Sequence, residues 1–146
     1  MTGVGFKDCK IAIDETKGNV EESIEFLRKK GIAKASKKMS RTASEGLALV
    51  KEHEGELSII EINSETDFVA KNDSFKELTS HFAEIALNHK DIESFMAADF
   101  LGMTGSEKVI EQTGVIGEKL ELSAFERVKA AFVGSYIHGV KIAVLV

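Results

Sequence analysis

Residues 64–73 read SETDFVAKND and hold two carboxylates two positions apart, Glu65 and Asp67. On a strand, side chains at i and i+2 leave from the same face, so this spacing could serve a general acid and base. The same groups just ahead of a helix have a commoner use, favouring its positive end. His53, His81, His89 and His138 are scattered and Cys9 is the one cysteine, so zinc-ligand spacing is missing. NSETDF lacks the glycine that a calcium loop needs at its sixth position. GVGFKD lacks the GK[ST] ending of a phosphate loop, and no serine nucleophile elbow occurs. The expectation is a protein without an active site, metal or cofactor of its own. What needs explaining is Phe68, an aromatic ring at a polar junction between a strand-like run and a helix-like run. It either tucks under a sheet edge or is presented to a partner, where aromatic anchors contribute about 2 kcal/mol or more of binding energy.

The elements around that junction follow from periodicity. DSFKELTSHFAEIALNH places Phe75, Leu78, Phe82 and Ile85 at helical spacing, with Asp73 or Ser74 as cap and Glu77 completing a box with Ser74. Ahead of it, LALVKEHEGELSIIEIN predicts a hairpin over 47–52 and 57–62 with EHEGE as the turn, its second strand ended by SETDFVAKND. At the start, Phe6, Cys9 and Ile13 mark one face of a helix over 5–17, stopped by Gly18. Asn19 with Glu22 predicts the cap of a second helix, whose stripe is Val20, Ile24 and Leu27 and whose end is Gly31. Residues 91–105 have helical pieces and glycine stops, and SEKVIEQTGVIGEK is a helix ending near Gly117. Residues 119–128 alternate as a strand, and AAFVGSYIHGVKIAVLV is a hairpin turning at His138-Gly139. EGELSIIEI and HGVKIAVLV echo each other, which suggests a duplicated αβ unit. The second copy leaves an apolar strand uncovered at Val146, so the expectation is a fragment or completion by another molecule, a second copy included.

Composition narrows the class. The chain has 146 residues, 43% hydrophobic and 29% charged, enough for a core. The net charge of -5 argues against a dedicated nucleic-acid binder. One cysteine excludes an intrachain disulfide, and neither a signal peptide, a transit sequence nor a membrane-length apolar run is visible, so a cytoplasmic, bacterial protein is expected. The segment RKKGIAKASKKMSR, residues 28–41, carries seven cations and no acid. It reads as a partly helical connector, or else as a ribosome- or RNA-associated binding module.

TDFVAKND, preceded by the strand EIN, resembles the signature of the translation elongation factor Ts family. GVGFKDCKIAIDETKGNVEESIEFLRKKGIAKASKK resembles that family's N-terminal helical module, and VIGEKLEL and SYIHG resemble two further segments. All four stand in the family's order, so the resemblance spans essentially the whole chain. It implies an α+β fold, with a ubiquitin-associated-like helical module over 1–38, a first core αβ subdomain over 39–130 and the start of a second, truncated one over 131–146. It implies a guanine-nucleotide exchange factor, not an enzyme, whose partner is the GTPase elongation factor Tu. By that resemblance Asp67 and Phe68 of the Thr66-Asp67-Phe68-Val69 motif enter the GTPase near its magnesium and phosphates. Ile116 and Gly117 support that contact, His138 lies on the partner-facing side, and Phe6 and Lys7 touch the GTPase domain. The family's module begins with a helix before T-G-x-G, where only Met1 stands here, so its first helix is expected to be missing. Lys7 stands where an apolar residue is common, and Ser64 where a Cys is frequent.

Overall fold

The EHEGE turn is where the sheet starts. In the computed structural model, which describes residues 3–100, 102–139 and 141–146, Glu54 and Gly55 both adopt positive φ (52° and 79°). This is the pairing a two-residue type I′ turn needs, and its twist matches that of the flanking strands. The turn sets the register of β1 (Glu45–His53) against β2 (Glu56–Ser64), with His53 opposite Glu56 and Leu47 opposite Ile62. Both strands run longer than the hydrophobic alternation predicts. β3 (Glu121–Lys129) pairs antiparallel to β2 and completes a three-stranded sheet of order β1-β2-β3. A bulge between Glu61 and Ile62 sets Phe125 opposite Ile60 and Leu122 opposite Ile62. The extra residue, Ser123, restores the phase of the alternation, so Phe125 and Leu122 share one face.

That face carries the core. Leu47, Ser58, Ile60, Ile62 and Leu122 are buried under the helix α4 (Asp73–Ala86), which contributes Phe75, Phe82, Ala83 and Ala86. Leu78 and Ile85 of the predicted stripe pack at its margin. Ser58 sits in this apolar layer because its hydroxyl donates to the Ala83 carbonyl at 3.0 Å, so that hydroxyl is not left unpaired. The cap of α4 is Asn72, whose side-chain oxygen accepts from Ser74 N at 2.9 Å. The expected Asp73/Ser74 cap with its Glu77 box is not formed, because the short α3 (Asp67–Lys71) ends at Asn72 and leaves that residue extended, in cap geometry. The unclear stretch 91–105 holds α5 (Ile92–Met96), capped by an Asp91–Ser94 box, and an isolated bridge from Asp99 to Thr104. It brings Phe95 and Phe100 edge-on to Phe82, with ring centroids 5.6 and 4.7 Å away, closing an aromatic cluster. α6 (Gly105–Ile116) follows, opened by a Thr104–Glu107 capping box and closed by Gly117 at φ 87°.

Two helices stand ahead of the sheet, α1 (Phe6–Glu15) and α2 (Val20–Ser36). Gly18, at φ 85°, stops the first as expected, and its N–H bonds back to the Ile13 carbonyl. Asn19 caps the second by accepting from Glu22 N. The predicted stripes differ from the buried faces. Phe6, Ile13, Val20 and Ile24 are exposed, and of the predicted stripe residues only Leu27 is buried, together with the small residues Ala12, Ser23 and Ala35. Gly31 does not end α2. It keeps right-handed geometry, and the helix continues to Ser36 because it packs along α6, where Gly114 lies against the Gly31 backbone.

The last hairpin, β4 (Ser135–His138) with β5 (Ile142–Leu145), turns where expected and lies beside β1 and β2. Its side chains Tyr136, Ile142 and Val144 are exposed. The fold is α+β, with antiparallel sheets and six helices among the described residues. The expected absence of a helix ahead of T-G-x-G concerns Met1 and Thr2, which lie outside those residues.

Candidate functional site

The site begins where β2 ends. Ser64 is the last strand residue and is fully buried, its hydroxyl donating to the Thr66 carbonyl at 3.0 Å. Thr66 is extended and caps α3, its oxygen accepting from Val69 N at 3.5 Å. Asp67 opens the helix and pairs with Lys71 one turn on, at 2.6 Å. The Lys71 ammonium holds the Asp67 carboxyl below its usual pKa. Val69 and Ala70 turn inward onto the core. The chain between them and Asp67 therefore faces outward, and Phe68 stands there 79% exposed. The ring that could have filled the sheet edge is free on nearly all sides.

Glu65 and Asp67 do not form a carboxylate pair. A helix begins at Asp67, which ends the two-residue alternation that would have aligned them. Glu65 reaches instead to the Lys119 amide at 2.6 Å and to Arg41 at 3.2 Å, and the Lys119 N–H is the main cause of its lowered pKa. Among the described residues no group of three His, Cys, Asp or Glu is placed to hold a metal. No helix among them is long and apolar enough to cross a membrane.

The remaining candidates gather unevenly around Phe68. Ile116 packs on the core at the end of α6, and Gly117 turns the chain in left-handed geometry directly before Glu118. Glu118 then reaches the junction, accepting from Thr66 N at 2.9 Å and from the Thr66 hydroxyl at 2.7 Å. The structure thus joins Ile116-Gly117 to Thr66-Val69 through a residue that the motif did not single out. His138 ends β4 and is exposed, its Nδ1 3.1 Å from the Tyr136 hydroxyl. Gly139, which follows it, lines a cavity together with Lys76 and Ser80 of α4 and Leu49 of β1, elements on which α3 packs. Phe6 and Lys7 open α1 on the other side. Both are exposed, Phe6 at 85%. A cavity of about 460 Å³ bordered by Gly5, Lys34, Lys37, Lys38, Arg41 and Gly117 separates their helix from the junction. Lys38 spans it, donating to the Gly117 carbonyl at 2.6 Å.

In the sequence Glu65 reads only as one of a carboxylate pair and Lys38 and Arg41 only as part of the basic segment 28–41, and Glu118 passes unnoticed inside VIGEKLEL, because a common charged residue carries no local sign of a distant partner. Only the fold brings residues 38–41, 65 and 117–119 together. What the arrangement offers is an aromatic contact on an anchored base.

Comparison with known proteins bears on this site. The family model described as elongation factor TS matches residues 65–146, starting at Glu65. The elongation factor Ts of Christiangramia forsetii is 51% identical over 147 residues, covering 99% of this chain and 54% of that protein. That of Flavobacterium johnsoniae is 47% identical over 146 residues, covering 99% and 46%. That of Rickettsia bellii is 47% identical over 140 residues, covering 94% and 45%. The chain therefore spans about half the length of the curated relatives it matches.

Proposed function

From the premise that this chain belongs to the elongation factor Ts family, and so to the elongation factors of protein biosynthesis, we propose that it binds the GTPase elongation factor Tu and promotes release of GDP. In this reading it is a binding protein without chemistry of its own, and Phe68 is the group that enters the partner. Asp67, Thr66 and Val69 shape its base, Ile116 and Gly117 back it, and His138 flanks it. Residues 1–38 form a second arm that carries Phe6 and Lys7.

The observation that carries the reading is the exposure of Phe68 on an otherwise anchored junction. A lone exposed aromatic is ordinary. This one stands beside inward-facing Val69 and Ala70, on a base tied down by Thr66, Glu65 and Glu118. The backbone that carries the ring is therefore anchored while the ring itself is not covered.

The mechanism needs no contact with the nucleotide. GDP is held by backbone N–H groups, a lysine and Mg²⁺ acting on its phosphates. A wedge driven between the partner's helices displaces those groups. The exchange factor must bind the nucleotide-free state more tightly than the GDP-bound state, and GDP must weaken the factor by the same ratio. Burial of a ring in the partner supplies the free energy, about 2 kcal/mol or more for an anchor of this kind.

The alternative use of residues 28–41, binding RNA, has less support. Much of its charge is engaged within the molecule: Arg28 and Lys29 with Glu25, Lys30 and Lys34 with Asp8, Lys38 with the Gly117 carbonyl and Arg41 with Glu65.

Phe68→Ala tests the reading. At sub-saturating factor, release of fluorescent GDP from elongation factor Tu should slow at least about tenfold, the equivalent of about 1.4 kcal/mol, with the circular dichroism spectrum unchanged. Unaltered GDP release would sink the wedge, and loss of the folded spectrum would make Phe68 a core residue.

A further inference from the structure

Phe68 is the second residue of a helix five residues long. A helix that short has almost no stability of its own, since nucleation costs more than its few hydrogen bonds return. Something outside α3 must hold it. Two glutamates do so reciprocally. Glu118, just past Gly117, reaches across to Thr66 and accepts from its N–H at 2.9 Å and its hydroxyl at 2.7 Å. Glu65, just before Thr66, reaches the other way and accepts from the Lys119 N–H at 2.6 Å. Each carboxylate thus bonds the backbone beside the other.

The chemistry suits carboxylates. An ionised carboxylate only accepts, so both oxygens of Glu118 can face donors at once, and such charge-assisted bonds are about twice as strong as neutral ones. With its proton given to Glu118, the Thr66 hydroxyl turns a lone pair toward Val69 N and caps α3. Neither glutamate is among the buried core residues.

We infer that Glu65 and Glu118 are positioning residues that hold α3 so that Phe68 is presented ready-ordered to its partner. This rests on the reading of Phe68 as the partner contact. If only a fraction of molecules held the ring correctly, the apparent affinity would fall by that fraction, while the bound complex would behave as before. A positioning role therefore has a distinct signature: weaker capture at an unchanged maximal effect.

The test uses the whole chain, wild type and Glu118→Ala. The wild-type chain must first accelerate GDP release from elongation factor Tu; failure there contradicts the exchange reading, whatever the variants do. Given that acceleration, Glu118→Ala should raise the half-saturating factor concentration at least about tenfold, since a factor of ten needs only about 1.4 kcal/mol and each of the two charge-assisted bonds lost contributes about that much or more. The maximal release rate at saturation should stay within about twofold. Amide hydrogen exchange at Thr66, Phe68 and Val69 should quicken at least about tenfold, with core amides of α4 unchanged. Glu118→Gln, which keeps one accepting oxygen, should recover part of the loss. An unchanged half-saturation, or a lost maximal rate, overturns the inference. If Glu118→Ala does not fold, Glu65→Ala carries the same expectations, and failure of both to fold would make the pair general fold elements and overturn it too.

Discussion

At the scale of single residues, position matters more than type. Glu65 and Asp67 are two residues apart in the chain and end on different partners. Glu56 makes the same point on the sheet. Opposite Lys129 in the β2–β3 register, it accepts from both Lys129 and Arg127, which pull its pKa from 4.5 down to about 2. A folded-state pKa below the unfolded one means that stability is fully present above about pH 4.5 and is lost as pH falls toward about 2. We expect a carbon-detected titration of the Glu56 carboxyl to give a midpoint well below 4.5 in the folded protein. In Glu56→Gln, the fall in urea resistance over that pH window should shrink. A midpoint at the ordinary glutamate value would contradict the pairing. The exposure of Phe68 was legible as a question, since an apolar ring stood where turns carry polar groups. Its answer was not, because a sheet-edge core site and a presented anchor share one local sequence.

At the scale of elements, hydrophobic periodicity identified α4 and the first hairpin, because each buries a regular apolar face, and glycine punctuation identified the end of α6 at Gly117. Periodicity placed the two N-terminal helices but misjudged most of their buried faces. Leu27 is buried as the stripe predicts, yet the other buried positions are Ala12, Ser23 and Ala35, small residues that give no apolar stripe, while Phe6 and Ile13 are exposed. Gly31 was misread for a related reason. Glycine punctuation says that a helix could stop there, but packing on α6 continues it. The crossing yields an asymmetric prediction. A Cβ on Gly114 would lie 2.7 Å from the Gly31 carbonyl oxygen, a contact that forces backbone apart, whereas a Cβ on Gly31 meets nothing within 4 Å. Gly114→Ala should therefore destabilise by about 1–3 kcal/mol through overpacking. Gly31→Ala should be neutral or stabilising by up to about 1 kcal/mol, through helix propensity. Denaturant midpoints of the two variants check this, and equal shifts would mean that α2 and α6 do not cross at these glycines.

At the scale of the whole molecule, the two sides of the site are joined by side chains that no local pattern revealed. Lys38 bonds the Gly117 carbonyl, Arg41 pairs with Glu65, and Glu65 and Glu118 tie the junction to the start of β3. The helical arm with Phe6 and the junction with Phe68 thus have a shared base. On the proposed function, that base is what lets binding at Phe68 act on the partner instead of bending the factor. The most direct measurement is the affinity of this chain for elongation factor Tu, taken calorimetrically in nucleotide-free and GDP-saturated states, for wild type and Phe68→Ala. The account predicts that GDP weakens wild-type binding at least about tenfold, that the chain weakens GDP binding by the same factor, and that Phe68→Ala brings both ratios toward one. Equal wild-type affinity in the two states, or a GDP-dependent difference untouched by loss of the ring, would contradict it.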